Sequence, residues 1–81
     1  MPPNPALASI AARLVHARQA AGLGTPEAAA IRLGMNPKVY ATHEQARSGV
    51  KPAELCRYAE AFGVSHGWLS TGIGAGPKKV G

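Results

Sequence analysis

Two helix-start signals eleven residues apart, Thr25-Pro26 and Asn36-Pro37, constrain the fold of this chain more than any other feature. A Thr or Asn side chain accepts from backbone N–H groups left free at a helix start. Proline suits the first helical position, where its missing N–H would have had no partner. Each pair therefore opens a helix. Between them, Gly34 lies where the first of the two must stop and the backbone must take a positive φ, which glycine adopts without a Cβ penalty. Two helices this short, so briefly joined, must cross at a steep angle.

The rest of the chain is punctuated for helices too. A first helix is expected from about Ala6 to Ala21, with Leu7, Ile10, Ala11, Leu14, Val15, Arg18 and Ala21 on one stripe, and Gly22 ends it. The second, Pro26 to Leu33, has small inward positions at Ala29, Ala30 and Leu33. These let the third helix approach through Tyr40 and His43. Arg47 to Lys51 forms a polar loop with two cations. Pro52 opens a fourth helix carrying Leu55, Tyr58, Ala59 and Phe62, and Gly63 closes it. Ser65 caps a last short helix with Trp68 and Leu69, and regular structure ends at Thr71-Gly72-Ile73-Gly74. No alternating apolar run signals a strand, so an all-α bundle is expected.

The 81 residues suffice for one small domain, expected over 6–72. The three prolines within residues 1–5 make a disordered arm. Residues 73–81, with Lys78-Lys79, make a flexible glycine-rich tail. Nine Lys/Arg against four glutamates and no aspartate give a net charge of +5, which suits a polyanion such as nucleic acid. Arg13, Arg32 and Arg57 read as exposed helix charges. Cys56 is the single cysteine, so no internal disulfide is possible; its apolar neighbours point to a buried, inert thiol. No secretory signal or membrane-length apolar run is present, which points to a soluble protein of the cytoplasm, where binding to nucleic acid would associate it with the nucleoid. His43 faces the core and His16 and His66 face solvent, so the histidines are not a metal set. Paired carboxylates, an activated nucleophile and a phosphate-cradling glycine loop are all missing. Neither an enzyme, a cofactor nor a small-molecule effector is expected.

Steeply crossed helices at 25–45 have the geometry of a helix-turn-helix, whose second helix can be offered to a DNA major groove. Ala30, Gly34 and Tyr40 supply a small residue, a turn glycine and a bulky apolar residue at the spacing that would hold that helix rigid. From Arg13 to Gly72 the chain resembles the Cro/C1-type (XRE) helix-turn-helix family of bacterial and phage repressors. The resemblance rests on RLVHARQAAGL, the Ala30…Gly34 pair, YATHE, RYAEAFGVS and the ending WLSTG, which is similar to the WLLTG of phage-repressor-like members. It implies a compact, lambda-repressor-like bundle of five helices in which helices two and three read DNA.

Carried over by position, the resemblance puts Asn36, Pro37, Lys38 and Thr42 on the groove-facing side of a recognition helix at about 36–45. Lys38 would donate to guanine O6 and N7, and Thr42 would reach a base edge or a thymine methyl. Asn36 would also touch a phosphate, as would Thr25 at its helix start, Gln45, and Arg47 and Lys51 in the following loop. The resemblance also implies an ion pair between Arg18 and Glu44 behind the recognition helix. It implies a two-fold contact through Trp68 and Leu69, which would equally serve as core residues. The sequence departs from the family at four places. Pro26 replaces a phosphate-gripping glutamine, and Pro37 replaces a polar reader. The Gly22–Thr25 turn carries one extra residue, and Glu44-Gln45-Ala46 stands for the usual ENG.

These readings converge on a sequence-specific regulator of double-stranded DNA, a repressor in preference to an activator, binding a palindrome as a homodimer. The alternative is a protein-interaction module, an antitoxin or regulatory adaptor, that keeps the fold and uses Trp68, Leu69 or the alanine-rich face against another protein; Pro26 and Pro37 keep it open.

Overall fold

The computed structural model describes residues 5–77. Five helices follow in order: α1 (Pro5–Ala20), α2 (Pro26–Leu33), α3 (Pro37–Glu44), α4 (Pro52–Phe62) and α5 (His66–Thr71), and no strand occurs among the described residues. Residues 1–4 of the expected arm, the Leu7 side chain and Lys78-Lys79 lie outside what the structure describes.

Local chemistry sets each boundary. Thr25 Oγ1 accepts from Ala28 N–H at 3.1 Å, and Asn36 Oδ1 accepts from Lys38 N–H at 2.8 Å, so both helix starts in the central hairpin are capped by their own side chains. Gly34 turns the chain at φ 67°, its N–H returning to the Ala30 and Ile31 carbonyls. At the α4 start the Lys51 N–H donates to Glu54 Oε1 at 2.9 Å, and Ser65 Oγ accepts from Trp68 N–H at 3.0 Å to open α5.

The core gathers one stripe from each helix. Leu14 and Ala17, Ala29, Ala30 and Leu33, Tyr40, Leu55, Tyr58, Ala59 and Phe62, and Leu69 are all buried. Alanines at 29 and 30 leave room for the Tyr40 ring, which meets Tyr58 edge-on with centroids 5.5 Å apart. His43 is buried beside them. Its Nδ1 lies 2.6 Å from the Tyr58 hydroxyl, which in turn reaches Met35 Sδ at 3.5 Å. These contacts tie α3 to α4 and to the turn before α3.

Three expectations need correction. Cys56 is exposed, because α4 turns Leu55, Tyr58, Ala59 and Phe62 inward and position 56 falls a hundred degrees round from Leu55. Arg13 is half-buried rather than an exposed charge, with Nε donating to Leu69 O at 2.8 Å and Nη2 to Ser70 O at 3.1 Å, so it closes the end of α5. Arg57 is exposed as expected, and in addition it donates to Leu33 O at 2.6 Å and so closes the end of α2. Finally, the chain does not leave the bundle at Ile73. Ser65 N–H donates to Ala75 O at 2.8 Å, and Gly76 crosses the Trp68 indole so closely that a Cβ there would stand 2.7 Å from Nε1.

Candidate nucleic-acid interface

One side of α3 is embedded and the other is open. Tyr40 and His43 point into the core, and the Glu44 side chain lies behind the helix. At three- and four-residue spacing the opposite face carries Lys38, Ala41, Thr42 and Gln45, flanked by Val39, with Pro37 at the tip. Pro37, Lys38, Val39 and Gln45 are exposed, and Ala41 and Thr42 half-buried. Asn36 is exposed, its amide oxygen engaged in the cap.

Thr42 is less free than its type suggests. Its hydroxyl donates to Val39 O at 2.6 Å and lies 3.0 Å from Ser48 Oγ. A hydroxyl has one proton, so with that proton on Val39 O the Ser48 hydroxyl must donate to Thr42. Ser48 is thereby a member of the site that sequence reasoning missed, since nothing in the sequence signals a loop serine folding back on the helix. Val39 was also missed. Its exposure was not legible, because four residues before His43 it lies at the edge of the buried stripe.

Behind α3, Arg18 meets Glu44 as a two-point pair, Nε to Oε2 at 2.7 Å and Nη2 to Oε1 at 3.3 Å, with side chains 6% and 7% exposed. Nη1 of the same guanidinium donates to Leu23 O at 2.9 Å, so one residue of α1 holds both the loop entering α2 and the end of α3. Tyr40 is fully buried, and its hydroxyl finds no hydrogen-bond partner among the described residues. Burial first, and the neighbouring Glu44 carboxylate second, push its phenol well above the ordinary range; burial and then Glu54 do the same to Tyr58.

The exit from α3 shows how the chain manages without the family's glycine. Ala46 itself takes φ 57°, the sole non-glycine residue at positive φ among those described. That bend lets Arg47 N–H return to Thr42 O at 2.9 Å and carries the loop to Lys51.

The cations divide into two groups. Arg13, Arg18 and Arg57 are engaged by carbonyls or Glu44. Lys38, Arg47 and Lys51, on and just beyond α3, and Arg32 on α2 are exposed and make no side-chain hydrogen bond or ion pair among the described residues. At the α2 start, Thr25 occupies the Ala28 N–H and Glu27 stands in the first turn, so that end offers an anion less than its dipole suggests. At the far end of the molecule, Leu69 is fully buried in its own core and is not available to a partner subunit. Trp68 is half-buried, edge-on to His16 at 5.9 Å. The two-fold contact expected from Leu69 therefore gives way to a core role.

Among the described residues no group of three or more His, Cys, Asp or Glu is placed to hold a metal ion, and no helix is long and apolar enough to cross a membrane. A family model described as a helix-turn-helix domain matches residues 9–68, from the first helix to Trp68. No curated protein and no solved structure gives a match. The matched segment holds the capped hairpin, the buttress behind α3 and the bundle that supports both, in keeping with the Cro/C1-type resemblance: the chain belongs to the helix-turn-helix domain family.

Proposed function

We propose that this protein is a sequence-specific transcriptional regulator that lays α3 into the major groove of double-stranded DNA. The observation that carries the reading is the state of α3: open on one face, fixed behind by Arg18–Glu44, and bordered by unengaged Lys38, Arg47 and Lys51. Lys38 reads a base edge, with Pro37, Thr42 and Asn36 beside it. Arg47, Lys51 and Gln45 hold the flanking phosphates, and Asn36 and Thr25 contribute to that grip. Two copies on a palindrome would set their α3 helices about 34 Å apart, and occupation of a promoter by such a dimer would repress it. The site of action is the bacterial cytoplasm.

A second reading, an antitoxin or adaptor that binds protein, has one observation in its favour. Ile31 on α2 is 78% exposed, and at the start of the same helix proline replaces the family's phosphate-gripping glutamine. Duplex binding measured against salt separates the two. Log affinity should fall by about 0.9 per log unit of salt for each phosphate neutralised, so by roughly two per subunit through Arg47 and Lys51. Lys38→Ala should flatten preference at one base pair while Arg47→Ala weakens all sequences alike. Negligible duplex affinity near physiological salt, with another protein retained through purification, would favour the adaptor.

A further inference from the structure

The outward face of α3 has few hydrogen-bonding groups. Of its side chains, Pro37, Val39 and Ala41 are hydrocarbon, and Val39 is 47% exposed. Thr42 has its only proton committed to Val39 O and accepts from Ser48, so what it has left for a base is chiefly its methyl. Asn36 has its carbonyl oxygen in the cap. Lys38 is left as the strong donor in the first turn of the helix, with Gln45 seven residues on. Val39 and Thr42 are three residues apart and so lie side by side, in a strip of carbon between the two polar positions.

In the major groove the one hydrocarbon group a base pair offers is the thymine C5-methyl; every other distinguishing group there is a donor or an acceptor. A carbon strip opposed to donors and acceptors would leave them unsatisfied, while opposed to thymine methyls it buries both surfaces. We infer that Val39, together with the Thr42 methyl, is a specificity determinant that selects thymines through their C5-methyl groups, beside a guanine taken by Lys38. The inference rests on the docking of α3 proposed above and deepens it by naming what kind of half-site the helix accepts. Ser48 is a positioning residue in this scheme, because it holds the Thr42 hydroxyl away from the base edges.

The test begins with selection of binding duplexes from a random library by the full chain, followed by replacement of each selected thymine with deoxyuridine, which removes the methyl alone. At one or two positions per half-site the change should weaken binding about fourfold, the factor corresponding to one buried methyl-sized group. In Val39→Ala, which alters an exposed side chain and leaves the core intact, the uracil penalty at one of those positions should vanish while affinity for the uracil duplex stays near that of the parent protein. A selected motif whose affinity is indifferent to uracil everywhere, or a Val39→Ala variant with the full uracil penalty, overturns the inference and leaves the DNA reading standing. Failure to enrich any motif overturns both.

Discussion

Arg18 carries more of this structure than any exposed cation. Its guanidinium makes two bonds to Glu44 and one to Leu23 O in a nearly solvent-free setting. Removing one member of such a pair strands the other charge, a loss of about 3–5 kcal/mol. Arg18→Ala should therefore lower unfolding stability by that order in urea, while Arg32→Ala, at an exposed position with no bonded partner, should change it by less than about 0.5 kcal/mol. Tyr40 is the opposite case, a buried hydroxyl without a partner. Tyr40→Phe should raise stability by about 1 kcal/mol at neutral pH. It should also blunt alkaline unfolding. A phenol whose value is raised by folding keeps its proton in the native state after the unfolded chain has lost it. Stability is then full below the ordinary tyrosine value near 10 and falls as pH rises past it. Parallel urea titrations at about pH 8 and pH 11 should show a smaller loss in Tyr40→Phe than in the parent protein.

Helix α3 was legible in its start and in its inner face, and not in its end. Asn36-Pro37 fixed where α3 begins, and the Tyr40/His43 spacing fixed what it buries. Its exit was not readable, because alanine gives no sign of the left-handed conformation that Ala46 adopts at φ 57°. An L-residue other than glycine is strained there by roughly 1–2 kcal/mol. Ala46→Gly should accordingly stabilise the protein by about 1 kcal/mol after the greater freedom of glycine in the unfolded chain is subtracted. Thermal or urea unfolding measures this directly, and a destabilised variant would mean that the bend is held otherwise. The same limit explains Cys56 and Leu69. Apolar sequence neighbours suggested burial for the first, and the resemblance implied a contact surface for the second beside an equally open core role, but helix phase and packing decide burial.

Taken across the bundle, the positive charge read from composition is not all available for an external polyanion. Arg13, Arg18 and Arg57 bind chain carbonyls or Glu44, each at the end of a helix or at the loop after one; the Arg18–Glu44 pair was implied by the resemblance, but the long-range bonds of Arg13 and Arg57 leave no mark in a linear sequence. What remains unengaged clusters in part on and just after α3, at Lys38, Arg47 and Lys51. The fold, its five helices and the hairpin were legible because local chemistry writes caps, turns and stripes into neighbouring residues. The distribution of charge was not, because tertiary contacts decide it. The decisive measurement is an amide NMR titration of the full chain with a selected duplex. The largest shifts should fall on Lys38 to Gln45 and on Arg47 to Lys51, with α5 and the α4 face carrying Cys56 nearly unmoved. Shifts centred instead on Ile31, Ile73 or Trp68, with α3 silent, would overturn the proposed docking of α3.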